Sequence, residues 1–345
     1  MRKFAVFSGF LGSGKTTAMM ALAKKGSKTS MITNDLGDKG LADHRLARLC
    51  QCNAAEITGD CICYQTEKLV ENLDRLFKEQ GCELVISDIP GFGVGALEHV
   101  YHTLVEKYPG QYELAPFTVL VEPRTVSVLQ ESGSDDLSYI LHNQLVEADL
   151  IVLNKCDLMK GASKAAAVEY LRKMYPQASV VTISAANGEG LETLYRALMD
   201  GHASMHRPDI GYGGEAFTKI MSRVCEYNLQ YYATVCCNDF DGNAYLLALA
   251  ESVQERIRAM RARIPHMKLL AWKAEGEYGK VDLLDIDRPA EVNQSFHNPC
   301  TELAVVLNAS AFGFGNELDA AITVAVEQVS GQYRLDLVIY RKEVI

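Results

Sequence analysis

The chain has 345 residues, enough for one large or two ordinary domains. Its apolar fraction of 48% is ordinary for a soluble protein, and a net charge of −10 argues against a dedicated nucleic-acid binder, which would present a basic face. No apolar run reaches the roughly 18 residues that a membrane span needs.

The first element is a short apolar strand, Phe4 to Phe7, running straight into Gly9-Phe-Leu-Gly12-Ser13-Gly14-Lys15-Thr16-Thr17. This is the G-x-x-x-x-G-K-[ST] spacing of a phosphate-binding loop, and the Ala-, Met- and Lys-rich stretch to Lys25 predicts the helix that must follow it. The glycines let successive backbone N–H groups turn inward toward phosphate oxygens, and the helix start adds partial positive charge. Lys15 is placed for the β and γ phosphates and the Thr16 hydroxyl for Mg²⁺. The loop residues Gly9, Gly12, Ser13, Gly14, Lys15, Thr16 and Thr17 are the candidate phosphate contacts. The opening MRKFAVFSGF has a superficial likeness to a signal peptide, but the loop begins at Gly9 and no cleavage pattern follows.

Ser30 to Thr33 predicts a second strand, ending in Asn34-Asp35-Leu-Gly37. A carboxylate at a strand end beside a phosphate loop is placed to meet Mg²⁺ or the γ-phosphate, which makes Asp35 a candidate; the simpler reading is an Asn-Asp-Gly turn. Two cysteine pairs follow, Cys50-Gln-Cys52 and Cys61-Ile-Cys63. A Cys-x-Cys pair can put two thiolates on one soft ion such as Zn²⁺ or Cu⁺. Gly59, two residues before Cys61, permits the necessary turn, whereas Cys50 and Cys52 follow an apolar face that explains a buried cysteine by packing alone.

Glu67 to Gln80 carries Leu69, Val70, Leu73, Leu76 and Phe77 on one helical face. Glu83 to Ile86 is a buried strand that leads into Asp88-Ile-Pro-Gly91. Asp-x-x-Gly after an apolar strand is a second phosphate-side motif, with Asp88 toward Mg²⁺ and the Gly91 N–H toward the γ-phosphate. Further strands are predicted at Phe117 to Val121, Leu150 to Leu153 and Val180 to Ile183, with a helix over Ile140 to Asp149. The Leu150 strand ends in Asn154-Lys155-Cys156-Asp157, a guanine-reading spacing in which the Asp157 carboxylate accepts from the base's N1–H and amino group. The Val180 strand ends in Ser184-Ala185, the loop position from which a backbone N–H reaches the guanine carbonyl. Motif-tipped strands alternating with helices predict an α/β fold: a mostly parallel sheet with helices on both faces.

Together these motifs resemble the CobW/HypB/UreG family of P-loop GTPases, most closely its CobW-type branch. The resemblance rests on GFLGSGKTT at 9–17, Asn34-Asp35-Leu-Gly37, Gly59-Asp60-Cys61-Ile62-Cys63, Asp88-Ile-Pro-Gly91, Gln144 to Asp149 and Asn154-Lys-Cys-Asp-Leu158, across about the first 200 residues. It implies a GTPase that couples hydrolysis to metal insertion or to assembly of a metal- or cobalamin-dependent enzyme. In that frame Lys15, Asp35 and Asp88 are catalytic candidates. Thr16, Asp35 and Asp88 are Mg²⁺ ligands. Cys61 and Cys63 hold the cargo metal, Zn²⁺ or another soft divalent ion. The implied partner is a client metalloenzyme or corrinoid protein, with no role for nucleic acid or membrane, in the cytoplasm; a homodimer is left open. The family cysteine motif is usually Gly-Cys-x-Cys-Cys, and here Tyr64 takes the place of the third cysteine while Asp60 separates the glycine from Cys61. Asp35 and Asp88 stand where relatives commonly carry Glu. Cys50 and Cys52 are candidates to replace the missing thiol.

These readings divide the chain into a P-loop GTPase domain at 1–205, a Gly-rich linker at 206–215 and a smaller α+β C-terminal domain at 216–345. The last is expected to be mostly antiparallel. Its strands are predicted at Leu229 to Cys237, Lys268 to Lys273, Lys280 to Ile286, Glu302 to Asn308 and Tyr333 to Tyr340, and its helices at Asn243 to Ile264 and Asn316 to Val329. It carries no enzyme motif; Cys236, Cys237, His297 and Cys300 are its candidate metal ligands.

Overall fold

The computed structural model describes residues 2–25, 28–35, 42–131, 136–235, 238–260, 266–284, 286–312 and 315–344. They group into two units, Met1–Leu36 with Cys50–Ile220, and Gly37–Leu49 with Met221–Ile345.

In the first unit β1 (Lys3–Ser8) leads through the glycine loop into α1 (Lys15–Lys25), then β2 (Thr29–Asp35). Helix α2 (Ala42–Leu49) follows in the chain but groups with the second unit. The first unit resumes with β3 (Ala54–Thr58), α3 (Thr66–Glu79) and β4 (Leu84–Asp88). A π-helical turn at Leu97–His102 runs into α4 (Thr103–Lys107), followed by β5 (Glu113–Leu114), β6 (Thr118–Val121), α5 (Pro123–Glu131) and α6 (Asp136–Val146). Then come β7 (Leu150–Leu153), α7 (Gly161–Met174), β8 (Ser179–Thr182) and α8 (Leu191–Asp200). The strands pair in parallel in the order β3-β2-β4-β1-β6-β7-β8, with β5 beside the start of β1.

The reason is visible in the side chains. Every residue of β1 is buried, as a strand covered on both faces by helices requires. Helix α3 buries Leu69, Leu73, Leu76 and Phe77 and turns its charges outward. Phe4, Val6, Leu73, Val85, Phe117, Val119 and Ile151 belong to one continuous core. Because β1 lies between β4 and β6, the loops after β1, β4, β6, β7 and β8 emerge at the same carboxyl edge, where open α/β sheets bind ligands.

After α9 (Glu215–Met221) the second unit forms β9 (Val224–Val235), α10 (Gly242–Ala259), β10 (His266–Trp272), β11 (Tyr278–Leu283), β12 (Glu291–Gln294), β13 (Glu302–Phe312), α11 (Gly315–Gln332) and β14 (Leu335–Val344). These strands form a sheet in the order β12-β11-β10-β13-β9-β14, antiparallel throughout. Leu303, Val305, Leu307, Ala309 and Ala311 alternate along β13 into a core shared with Leu246, Leu249, Val253, Ile322 and Val326 of α10 and α11. Asp241 caps α10, its carboxylate accepting from the Asn243 and Ala244 N–H groups at 2.9 and 3.1 Å. Helix α2 is held on β10 and β13 by three polar contacts: the Ala42 N–H donates to Asn308 Oδ1 at 3.1 Å, Lys268 Nζ pairs with Asp43 at 2.5 Å, and the Arg45 guanidinium lies 5.5 Å from the Trp272 ring centre.

The sequence reading gives no range for β3, α4, β5, α5, α7, α8, β12 or the short helix α9, which starts where composition marks only a linker ending. Strand β9 extends five residues earlier than expected and ends at Val235; Cys236 and Cys237 lie outside the described residues.

Candidate functional site

The loop after β1 folds as the glycine spacing requires. Gly14 sits at φ +90°, and a Cβ there would lie 2.3 Å from Asn154 Nδ2, so only glycine fits. Lys15 is buried, its ammonium donating to the Gly9 carbonyl at 2.6 Å and the Phe10 carbonyl at 3.4 Å, which holds the charge inside the loop. Thr16 is buried at the start of α1 and Thr17 is exposed. The Ser13 hydroxyl is buried with no hydrogen-bond partner among the described residues. An orphaned donor of this kind at a helix start fits a phosphate group.

Asp88 ends β4, opposite Phe7 of β1, with its side chain buried. Its Oδ1 accepts from the Asn34 backbone N–H at 2.8 Å. Asp35 ends β2, and its side chain, like residues 36–41, lies outside the described residues. Gly91 packs so tightly on the phosphate loop that a Cβ would lie 2.4 Å from the Leu11 side chain and 3.0 Å from its backbone nitrogen. The loop that carries Gly91 is held from behind by the end of α6. Gln144 Nε2 donates to the Gly91 and Gly93 carbonyls at 3.0 and 2.9 Å. The Glu147 carboxylate accepts from the Gly95 and Leu97 N–H groups at 2.8 and 3.0 Å. Burial pushes the Glu147 carboxyl up to about 7, against the downward pull of those two bonds.

At the other end of the loop Asn154, just past β7, joins two segments. Its Nδ2 donates to the Ser13 carbonyl at 2.8 Å and its Oδ1 accepts from the Ala185 N–H at 3.0 Å. Lys155 adopts a left-handed conformation at φ +58°, uncommon for a side-chain-bearing residue, and its ammonium pairs with Glu122 at 2.7 Å. Cys156 turns inward, its N–H donating to the Ile183 carbonyl, and Asp157 is exposed beside it. Ser184 is fully buried. Asn154, Ser13 and Ala185, distant in sequence, are therefore one hydrogen-bonded group.

The Cys61 and Cys63 sulfurs lie 2.8 Å apart on a single 3₁₀ turn. Their contact divides the pair: the Cys63 thiol draws Cys61 below the ordinary thiol range, while its bond to Cys61 and its burial push Cys63 well above it. Asn34 holds this turn with its side-chain amide, Nδ2 donating to the Asp60 and Ile57 carbonyls at 2.9 and 3.2 Å and Oδ1 accepting from the Ile62 N–H at 2.8 Å. Tyr64 is exposed, its hydroxyl bonded to that of Tyr212, and the His99 ring lies 4.5 Å from that of Tyr212. Among the described residues no group of three or more His, Cys, Asp or Glu side chains is arranged to hold a metal. Cys300 is a core residue against Gly242, and His297 is exposed. Asn34, Gln144 and Glu147 are functional candidates that residue-type reasoning leaves without a role.

Comparisons with known proteins follow the same lines. Residues 3–182 match the family model described as CobW/HypB/UreG, nucleotide-binding domain. The zinc chaperone YeiR of Escherichia coli (strain K12) is 28% identical over 171 residues, covering 48% of this chain and 50% of YeiR. The chain thus spans about half the length of that curated relative. Among solved structures, Zn(II)-bound YjiA GTPase from E. coli aligns with 94% of this chain and 98% of its own at 15% identity and a TM-score of 0.41. HypB from Helicobacter pylori in complex with nickel aligns with 59% of this chain and 91% of its own at 20% identity and a TM-score of 0.41. Among the described residues no helix is long and apolar enough to cross a membrane. With a family match spanning more than half of its length, this chain belongs to the CobW/HypB/UreG family of P-loop GTPases.

Proposed function

We propose that the protein binds and hydrolyses GTP and uses that cycle to deliver a soft divalent metal ion to a client metalloenzyme or cobalamin-dependent enzyme. The observation that carries the nucleotide half is the Asn154 side chain, bonded at once to the phosphate loop and to the Ala185 loop. Guanine then lies against Asn154, Lys155, Asp157, Ser184 and Ala185, with the Asp157 carboxylate selecting the base. Gly9, Gly12, Ser13, Gly14, Lys15, Thr16 and Thr17 cradle the phosphates, and the orphaned Ser13 hydroxyl gains a partner there. Thr16, Asp35 and Asp88 offer the hard oxygen donors that Mg²⁺ prefers, and the ion would neutralise charge on the β and γ phosphates. Lys15 stabilises the charge that develops on transfer, and Gly91 orients its N–H toward the γ-phosphate. Cys61 and Cys63 are the soft donors for the cargo, for which Zn²⁺ is the first candidate, given the zinc chaperone relative. The described cysteines are all free thiols, as a reducing cytoplasm requires.

A second reading is a GTP-dependent docking switch that carries no metal itself. Tyr64 in the third-cysteine position and the lack of a three-ligand group among the described residues favour it.

The deciding experiment measures GTP and ATP affinity, GTP turnover, and zinc stoichiometry of the reduced protein beside a Cys61→Ser/Cys63→Ser variant. GTP selectivity with one equivalent of zinc that needs both cysteines supports delivery. GTP turnover without thiol-dependent zinc supports the docking switch. Failure to bind GTP overturns both.

A further inference from the structure

Asn34 is bonded to both candidate sites. It is 2% exposed and lies one residue before the end of β2. Its backbone N–H donates to Asp88 Oδ1 at 2.8 Å, on the nucleotide side. Its side-chain amide faces the thiol turn, with donors to Asp60 and Ile57 and the acceptor to Ile62. Asp60 in turn accepts from the Cys61 N–H at 2.7 Å, so the backbone on both sides of Cys61 is fastened, directly or through one residue, to the Asn34 amide.

The physical consequence follows from how little slack this leaves. A buried amide that loses a partner costs about 1–3 kcal/mol. The strand end, the carboxylate and the turn therefore shift together more readily than any one of them breaks away. Asp88 drawn toward a cation on the nucleotide moves the acceptor of the Asn34 N–H. The amide two bonds from its Cα carries that displacement to Asp60 and Ile62, which flank the thiols. The link runs equally in reverse, because coupling between two binding equilibria is reciprocal.

Resting on the function proposed above, we infer that Asn34 is the positioning residue through which nucleotide and thiol-bound metal sense each other. Neither ligand touches it; it acts through Asp88 on one side and through the Cys61–Cys63 turn on the other.

The test is a coupling measurement. Zn²⁺ affinity is determined for the full chain with and without a non-hydrolysable GTP analogue and Mg²⁺, for wild type, Asn34→Ala and Asn34→Asp. The alanine variant removes every side-chain bond and keeps the N–H donor to Asp88. The aspartate variant keeps the shape and the acceptor and loses the donors. For wild type the nucleotide is expected to change zinc affinity by roughly 5- to 150-fold, the usual span of such couplings. In both variants that ratio should fall to within about twofold of unity, with the analogue's own affinity changed less than about threefold. A merely structural role would lower stability without abolishing the ratio. Wild-type coupling that survives in both variants overturns the inference while leaving the GTPase reading intact. A wild type that binds neither ligand overturns both. Should the variants fail to fold, amide exchange in wild type decides: the analogue should alter exchange in the 60–65 segment and zinc should alter it in the 30–35 segment. Unchanged exchange on the far side sinks the proposal.

Discussion

Two asparagines stand at the carboxyl ends of parallel strands in the nucleotide-binding unit, and each fastens segments distant in the chain, Asn154 through its side-chain amide alone and Asn34 through its side-chain amide and its backbone N–H together. Asn154 ties the phosphate loop to the Ala185 loop, so both of its partners belong to the proposed nucleotide site. Asn34 ties the Asp88 carboxylate to the thiol turn, so its partners belong to two different chemistries. The amide is suited to both tasks because it is planar, uncharged and both donor and acceptor, and it can be buried at no cost when every bond is made. What separates the two is location. An asparagine that joins two parts of one site stiffens that site, whereas one that joins two sites is placed to make them interdependent. Loss of the first should show as lost affinity, and loss of the second as lost communication.

That contrast can be broken in stages. The largest effect belongs to Lys15, which serves the nucleotide end alone: Lys15→Ala should reduce GTP turnover by about 10²–10³-fold, the usual cost of removing a charge-stabilising donor. A loss below tenfold in a steady-state phosphate-release assay would take the phosphate loop out of the mechanism. Next, Asn154→Ala should weaken GTP and GDP together by about tenfold or more and destabilise the fold by about 1–3 kcal/mol, since Ser13 and Ala185 lose a buried partner. Calorimetric titration and thermal melting check this, and unchanged nucleotide affinity would contradict the role given to the amide. Asp157→Asn removes the carboxylate proposed to accept from guanine, so GTP-over-ATP preference should drop by about 10–100-fold while ATP affinity changes little; competition binding reads that ratio directly.

The last effect is a pH dependence at Glu147. Its carboxyl titrates near 7 in the folded chain against an ordinary 4.5. Between those values the folded state holds a proton that the unfolded state releases, so this group's contribution to stability falls as pH rises from about 4.5 to about 7. Glu147→Gln removes that titration. The stability advantage of wild type over the variant should therefore be larger at pH 5 than at pH 8, by an amount on the order of a few kcal/mol. Urea melts at the two pH values measure it, and an advantage that grows with pH would reverse the assignment.

The legible part of this protein is the part written in contiguous residues. The glycine loop, Asp88 to Gly91 and Asn154 to Asp157 each combine a strand end with a spacing that has few other uses, and with them came the order of the parallel units. Helices α3 and α10 were legible because their apolar residues share one face. Strand β3 was not, since Ala54-Ala-Glu-Ile-Thr58 is short and carries a charge in its middle, and its strand character comes from pairing with β2. Asn34 read as a turn residue because its partners Ile62 and Asp88 lie 28 and 54 positions away. Gln144 lies in the last turn of α6 and Glu147 just past its end, but nothing in that spacing shows that they face the Gly91 loop. The thiol pair was legible as chemistry, and its fastening to Asp88 was not.

One earlier feature also equips the protein for optical study. The chain contains a single tryptophan, Trp272, and it sits half-buried on β10 beneath the Arg45 guanidinium of α2. Ultraviolet-excited indole emission therefore comes from one place only. Its wavelength depends on how much water reaches the ring, so withdrawal of α2 from this face would move the emission toward the red. The seating of that helix, which follows β2 in the chain, can thus be followed in unlabelled protein during a nucleotide or metal titration.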